Sequence, residues 1–180
     1  MRKIIEYTLV STDGVFGQPE ISSFFAYRDD AYLRDGLGLL LACDAMLMGR
    51  NTYESSAAIW PGRNHPWADR LNAMPKYVFS STLEKTEWNN STILHGEVAT
   101  SVRQLKLQDG GNLLIFGHGQ LSETLLKQHL IDVIDLSIHP VILGQGKQVF
   151  KGGLHVPLRL IATKSFSTGI VKLTYEPQSE

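Results

Sequence analysis

Short apolar runs that end at turn residues recur along the chain and predict buried strands. Continuous apolar runs of four to eight residues are typical of strands that are covered on both faces, as in parallel sheets. A polar or glycine-containing turn follows each run, which is the expected end of a strand. Three such runs are Ile4 to Val10, Ala45 to Met48 and Leu113 to Phe116.

Other segments carry apolar residues at the three- and four-residue spacing of a helix that buries one face. After Gly49, Asn51 and Glu54 have the spacing of an N-cap and the third helical residue, and Trp60-Pro61-Gly62 supplies a stop. This predicts a short helix that begins directly after a strand. Further helices are expected between Phe24 and Leu41, around Val98, Val102 and Leu105, and around Leu121, Leu125, Leu126 and Leu130.

The order of these elements predicts the fold class. Strands linked by helices favour a mostly parallel sheet with helices on both faces. Leu158 to Tyr175 instead contains two consecutive strand patterns around Ser167-Thr168-Gly169, which predicts an antiparallel hairpin. We therefore expect one α/β domain over residues 1–180, with an antiparallel C-terminal edge. The remaining strands are predicted at Lys76 to Ser80, Ser91 to Leu94 and Ile134 to Ile138.

Composition narrows the class of partner. Seventeen Lys and Arg against 18 Asp and Glu give a formal net charge of -1, which argues against a nucleic-acid or anionic-membrane partner. The charged start of the chain does not resemble a signal peptide, so the cytoplasm is the expected location. The single cysteine, Cys43, lies in an apolar stretch and is expected to be buried. The six histidines and Cys43 show no metal-ligand spacing, so no metal site is expected.

Two strand-to-helix turns carry groups that bind phosphate. In the first, Gly49 lets a ligand approach the backbone, while Arg50 and Thr52 offer a guanidinium and a hydroxyl at a helix start. The alternative is that Asn51 and Thr52 only cap the helix and that Arg50 is a solvated surface charge. The second turn, Gly117-His118-Gly119-Gln120, also follows a buried strand, where ligands bind in open α/β sheets.

A third polar segment, Ser80-Ser81-Thr82, follows the predicted strand at Lys76 and could supply hydroxyls to a ribose phosphate. Its alternative is an ordinary polar strand end. The second turn lacks the full Gly-x-Gly-x-x-Gly spacing, which disfavours an ordinary Rossmann dehydrogenase. The sequence thus predicts an anion site at the carboxyl ends of several strands.

As an ordered set, these segments resemble the dihydrofolate reductase-like superfamily. The closer likeness is to the family of the C-terminal reductase domain of the bifunctional riboflavin-biosynthesis deaminase-reductase. His139-Pro140-Val141-Ile142-Leu143-Gly144 and the last strand, Gly169 to Tyr175, continue the likeness over nearly the whole chain. The motifs that carry it are Met46 to Glu54, Val78-Phe79-Ser80-Ser81 and Leu113 to Leu121.

The resemblance implies an NADPH cleft. It places Arg50 on the 2′-phosphate with Ser80 or Ser81 beside it, and Thr52 on the pyrophosphate. The first strand and the following loop would border the nicotinamide and the substrate, which marks Ser11, Asp13 and Phe16 as substrate-cleft residues. The implied cofactor-binding residues are Val10, Gly49, Arg50, Asn51, Thr52, Ser80, Ser81, Gly117, His118, Gly119, Gln120 and Leu121.

The chain also departs from the family pattern. Phe116 stands where riboflavin-pathway reductases carry an acidic residue, and His118 interrupts the glycine pair, so a pyrimidine-sugar-phosphate substrate is not implied. No motif selects a proton donor: Asp13 and Asp30 are candidates, but Asp13 could instead form a turn before Gly14. Asp30, like Asp29 and Asp35, could be a solvated helix-surface carboxylate.

We therefore expect an NADPH-dependent reductase of a small heteroaromatic or imine-type substrate, pteridine- or pyrimidine-like, with the cofactor supplying the chemistry. A non-catalytic module that binds or senses NADPH is the first alternative. A structural domain whose turns bind an incidental anion is the second. Family likeness implies a homodimer formed through the sheet edge or the late hairpin.

Overall fold

The structure is a computed structural model that describes residues 1–17, 19–150 and 153–178. Its centre is an eight-stranded sheet in the order β5-β4-β3-β6-β1-β7-β10-β9. The strands of this sheet are β1 (Ile4–Ser11), β3 (Cys43–Gly49), β4 (Lys76–Phe79), β5 (Ser91–Leu94), β6 (Asn112–Phe116), β7 (Val133–His139), β9 (Leu158–Ser165) and β10 (Val171–Pro177). A separate two-stranded ribbon pairs β2 (Val15–Phe16) with β8 (Lys147–Gln148).

The predicted fold class is confirmed. Strands β5, β4, β3, β6, β1 and β7 run parallel. In this sheet β10 runs antiparallel to both of its neighbours, β7 and β9, and Gly169 turns the hairpin between β9 and β10 at a φ of 89°. Helices cover both faces of the sheet: α1 (Asp30–Leu41), α2 (Arg50–Ala57), α3 (Pro66–Ala73), α4 (Val98–Leu107) and α5 (Gln120–Lys127).

Two apolar layers hold the helices against the sheet. Helices α4 and α5 bury Val102 and Leu125 against Leu47 and Leu113 on one face. Helices α1, α2 and α3 cover the opposite face, where Cys43, 1% exposed, lies in the core as expected. No helix in the part of the chain that the structure describes is long and apolar enough to cross a membrane.

The helix after Gly49 begins earlier than the sequence predicted. Gly49 is the N-cap and Arg50 the first helical residue, so the prediction of Asn51 as N-cap is wrong by two residues. Glycine fills the cap position because the chain only needs an extended residue there, and no side chain bonds the free N–H groups. The segment from Phe24 to Leu41 is divided between a 3-10 helix, Glu20–Tyr27, and α1.

Sheet topology brings the turns that were predicted to bind a ligand to one edge. The helix that follows β3 lies on one face of the sheet, and the helix that follows the neighbouring β6 lies on the other. Connections that leave adjacent strands toward opposite faces open a crevice at the carboxyl ends of those strands, where α/β proteins bind ligands. The crevice lies between Gly49 and Gly117.

Candidate functional site

Four neighbouring strands deliver the predicted site residues to the same edge. In sheet order β4, β3, β6 and β1, the strand ends carry Ser80, Gly49, Gly117 and Ser11. Parallel pairing keeps the first three ends level, since Gly49 is the register partner of Phe79 and Met46 that of Leu114. Strand β1 continues to Ser11, beyond Tyr7, which is the register partner of Phe116. Residues that are scattered over more than a hundred positions of sequence therefore form one continuous edge.

Two helices at this edge start without a side-chain cap. Gly49 precedes α2 and Gly119 precedes α5, and neither start has a side-chain hydrogen bond to its free backbone N–H groups. By contrast, Asp29 caps α1 by accepting from Tyr32 N, and Glu97 caps α4. Free N–H groups together with the positive end of the helix dipole attract an anion. Gly117 has a φ of 74°, which a glycine tolerates and which shapes the turn before α5.

Arg50 links the start of α2 to the segment after β4. Its Nη1 donates to Thr82 Oγ1 at 2.7 Å and its Nε to Glu54 Oε1 at 2.7 Å, while its side chain stays 46% exposed. Ser80 Oγ accepts from Thr82 N and Leu83 N at 3.2 and 2.9 Å, which fixes the turn. The guanidinium is thus oriented and remains open to a ligand.

His95 joins this group, although no sequence motif marks it. It follows β5, and its Nδ1–H donates to the carbonyl oxygen of Ser80 at 2.8 Å. Thr82 belongs to the polar segment Ser80-Ser81-Thr82, but only the two serines were predicted as binding residues. His95 and Thr82 both follow strands that end at the carboxyl edge of the sheet. Their shared position becomes apparent only from the pairing of β4 with β5.

The loop after β1 is held closed by its own polar groups. Asp13 accepts from Ser11 Oγ at 2.6 Å and from the backbone N–H groups of Leu143 and Gly144 at 3.1 and 2.7 Å. The bond from Ser11, followed by the two backbone bonds, lowers the pKa of Asp13 to about 2. Asp13 is therefore an anion at neutral pH that ties two loops together, which is unlike a proton donor.

Several predicted side chains lie inside the protein. Ser11 is 2% exposed, Phe16 and Val10 are each 4% exposed, and His118 is 6% exposed. The imidazole of His118 points beneath its turn, where Nδ1 lies 2.8 Å from Glu6 Oε1 on β1. In this conformation His118 can reach a ligand in the crevice through its backbone only.

The other predicted residues are more accessible. Asn51, Ser81 and Gln120 are exposed, and Thr52 and Leu121 are half-buried. Asp30 is exposed in the first turn of α1, where the neighbouring Asp29 provides the cap. Asp35 is paired with Lys164 and Lys172 at 2.5 and 2.6 Å, so this carboxylate fastens α1 to the C-terminal hairpin.

A buried hydroxyl cluster lies on the α1 side of the sheet. Tyr7 Oη and Tyr32 Oη are 2.8 Å apart, and Ser137 Oγ donates to Tyr32 Oη at 2.9 Å. Burial, reinforced by the neighbouring Tyr32, raises the pKa of Tyr7 well above 10, and burial also raises the pKa of Tyr32. Both phenols remain neutral hydrogen-bonding groups over the physiological range.

We expect the Tyr7→Phe variant to lose stability less steeply with pH above about pH 10 than the wild type. A folded-state pKa above the unfolded value contributes stability below the unfolded pKa that is lost as pH rises through the folded pKa. The steepest contribution of one phenol is about 1.4 kcal/mol per pH unit. Urea unfolding at pH 9, 10 and 11 measures how steeply the free energy of unfolding falls with pH. Because both proteins contain the same lysines, the contribution of lysine titration cancels in the comparison. Equal slopes for the two proteins would contradict the prediction.

The fold is that of an α/β protein of the dihydrofolate reductase-like class, with a crevice at the carboxyl ends of its strands. The chain belongs to the RibD C-terminal domain family, whose family model matches residues 2–172. The family is reductase-like and is connected with riboflavin biosynthesis.

Individual relatives agree with this membership. The chain is 29% identical over 138 residues to the uncharacterized protein YyaP of Bacillus subtilis strain 168, covering 73% of each chain. A protein of Shewanella sp. PV-4 assigned to riboflavin biosynthesis shares the fold at a TM-score of 0.76 and 19% identity, over 98% of this chain and 99% of that one.

A longer protein of the same fold comes from Thermotoga maritima. It is a diaminohydroxyphosphoribosylaminopyrimidine deaminase/5-amino-6-(5-phosphoribosylamino)uracil reductase, with a TM-score of 0.69 and 14% identity. The match covers 98% of this chain and 57% of the Thermotoga chain. At this low identity the comparison shows only that the folds are alike. The present chain corresponds to about half of the length of the longer protein.

Proposed function

We propose that this protein is an NADPH-dependent reductase of a small heteroaromatic or imine-type substrate. The observation that carries the proposal is the pair of uncapped helix starts, at Gly49 and Gly119, on neighbouring strands with Arg50 beside them. Such a pair suits the two negative charges of a dinucleotide pyrophosphate. Membership of the RibD C-terminal domain family supports a reductase, and the resemblance to that family implies NADPH.

The 2′-phosphate of NADPH would be held at the outer end of this edge. Arg50 offers a planar guanidinium suited to phosphate oxygens, and Thr82 and Ser81 add hydroxyls. His95 uses Nδ1 for Ser80, so Nε2 is the nitrogen left for a ligand. NADH lacks this phosphate, so the group predicts a preference for NADPH.

The nicotinamide half would extend along Gly117 to Leu121 toward the end of β1. The bound cofactor supplies the hydride, and the protein contributes binding, orientation and exclusion of water. The backbone of the turn before α5 can approach the cofactor closely because Gly117 and Gly119 carry no side chain. Phe116 and Trp67, with ring centroids 6.2 Å apart, would form an apolar wall at the carboxyl end of β6.

Turnover tests the proposal directly. The purified protein is mixed with NADPH and a panel of pteridines, pyrimidines and cyclic imines, and oxidation is followed at the nicotinamide absorbance band. Substrate-dependent oxidation of NADPH is the expected result. Tight NADPH binding without turnover would favour the alternative of a sensing module, and absence of NADPH binding would refute the reductase function altogether.

We further propose that the protein forms a homodimer through the hairpin edge, and we expect light scattering at micromolar concentration to give about 40 kDa, twice the 20.0 kDa chain mass. All eight residues of the edge strand β9 are exposed, including Leu160 and Ile161 at 50% and 45%. A long apolar edge strand that stays uncovered promotes association. Leu160→Glu should shift the mass toward 20.0 kDa, whereas Leu107→Glu, at an exposed position of α4, should not. A wild-type monomer would contradict the dimer.

A further inference from the structure

Arg28 stands at the same edge of the sheet as the proposed cofactor site, on the face covered by α1. It follows the 3-10 helix Glu20–Tyr27 and precedes α1, which begins at Asp30. Helix α1 connects two parallel strands, so it must begin at the carboxyl edge and run back to the opposite one. Arg28 therefore lies at the carboxyl edge that carries the crevice, on the face of the sheet that α1 covers.

Within the part of the chain that the structure describes, the guanidinium of Arg28 has no partner of opposite charge. Over residues 1–17, 19–150 and 153–178, no side chain or carbonyl forms a hydrogen bond or ion pair with it, and Nε is sealed from solvent without an acceptor. Its contact is the ring of Phe25, whose centroid lies 4.1 Å from Cζ. Nη1 and Nη2 are not sealed in this way, and both keep access to solvent.

The aromatic side chains beside Arg28 are neutral. His139 is fully buried, and its Nδ1–H donates to Ser137 O at 3.0 Å, so Nε2 is a buried acceptor. Burial, with the charge of Arg28 adding to it, lowers the pKa of His139 to about 4, so the imidazole is uncharged at neutral pH. Tyr7 and Tyr32 keep their protons for the reason given above.

An unpaired, partly buried cation is costly to the folded protein. Taking a charge out of water is unfavourable unless a counter-charge or hydrogen bonds replace the lost hydration. The desolvation of Arg28 is also what lowers the pKa of its guanidinium. Arg2, whose side chain is 5% exposed, avoids this cost through its ion pair with Asp44.

We propose that Arg28 is the binding site for an oxyanion, a carboxylate or phosphate group of the ligand that occupies the α1 side of the crevice. Phe25, 54% exposed and stacked under the guanidinium, forms the apolar floor of this site. The inference rests on the proposed function only in naming this ligand as the substrate, which is then an acidic small molecule. Arg28, which precedes α1, and Arg50, at the start of α2, bind two different anionic groups.

The first test is the stability of the ligand-free protein. Arg28→Met keeps the length of the side chain and removes the charge, so we expect the melting temperature to rise by about 2–4 °C. Arg34→Met, at an exposed position of α1, is the matched control and should leave the melting temperature unchanged. A fall in the melting temperature of Arg28→Met would mean that the arginine serves folding and would overturn the proposal.

The second test measures anion binding by thermal shift with inorganic phosphate and, separately, malonate, both at constant ionic strength. Arg50→Ala removes the cofactor-side arginine, and we expect binding of one of the anions to persist in it. Adding Arg28→Met should then weaken that binding by about 10- to 100-fold. Stronger phosphate binding identifies a phosphate group on the ligand, and stronger malonate binding a carboxylate.

The two proposals fail in different ways. If Arg50→Ala alone abolishes all anion binding, the Arg28 site is refuted while the cofactor site stands. If Arg28-dependent anion binding persists in a protein that does not bind NADPH, the cofactor proposal is refuted and the Arg28 site stands. Equal anion affinities for Arg50→Ala and the double variant would overturn the Arg28 site.

Discussion

Arg50→Ala is expected to weaken NADPH binding by about 10- to 100-fold and to leave NADH binding nearly unchanged. A hydrogen bond to a charged group contributes roughly 1.5–3 kcal/mol, and about 1.4 kcal/mol corresponds to a tenfold change in affinity. NADH lacks the 2′-phosphate, so removing the contact between Arg50 and this group should weaken the binding of NADPH alone. Isothermal titration of both nucleotides against both proteins gives the four affinities.

The existing partner of Arg50 does not prevent this interaction. Its ion pair with Glu54 is an exposed pair four residues apart on a helix, for which about 0.3–0.5 kcal/mol is typical. A phosphate contact is stronger than that, so the guanidinium should leave Glu54 when the nucleotide binds. Glu54→Gln should therefore retain the preference for NADPH, because it removes a competitor rather than a ligand.

A neighbouring arginine provides the control. Arg63 is exposed in the loop after α2 and donates to the carbonyl oxygen of Ile59 at 3.1 Å, away from the strand ends. Arg63→Ala should change the affinity for neither nucleotide. If Arg50→Ala weakened NADPH and NADH binding equally, Arg50 would be acting on the structure of the turn rather than on the 2′-phosphate.

The strands that carry the site could be predicted because the burial of each strand shows in its own residues. Parallel strands that are covered on both faces need uninterrupted apolar residues, as in Ala45 to Met48, and a glycine turn marks where they end. The hairpin was predicted for a similar reason, since Gly169 adopts the turn conformation that its position required.

Elements with little apolar periodicity were missed. Helix α3 buries only Ala68 and Leu71 in eight residues, and the 3-10 helix Glu20–Tyr27 buries only Phe24, so each buries an apolar face of about one turn. The ribbon of β2 and β8 has two residues in each strand, too few to show alternation. Their positions depend on tertiary contacts rather than on local pattern.

Side-chain partners across the sheet could not be predicted either. The turn before α5 suggested His118 as a ligand-binding residue, whereas its imidazole lies beside Glu6, 112 positions earlier. A single sequence shows that Glu6 is a charged residue in an apolar strand, but it does not show which residue faces it. Pairing of β1 with β6 brings the two together.

Glu6→Leu and His118→Leu are each expected to lower the free energy of unfolding by about 3–5 kcal/mol, while the double variant should lose clearly less than the sum. Glu6 is fully buried and His118 is 6% exposed, so each single change leaves the other polar group without its main partner in an apolar layer. Replacing both groups removes that penalty, because an apolar pair of similar volume needs no hydrogen bonds.

Urea unfolding of the four proteins at pH 7 gives the coupling energy of the pair. Additive losses would contradict the prediction and would mean that each side chain contributes only its own packing. Thr8→Val is the control, since Thr8 is also fully buried on β1 but bonds Glu6 weakly, at 3.4 Å, so its loss should be smaller.

His118 directly precedes the Gly119 cap of α5, so the single variants should also weaken NADPH binding by loosening the turn, with NADH binding weakened to the same extent. That equal effect on both nucleotides separates support of the turn at His118 from recognition of the 2′-phosphate at Arg50.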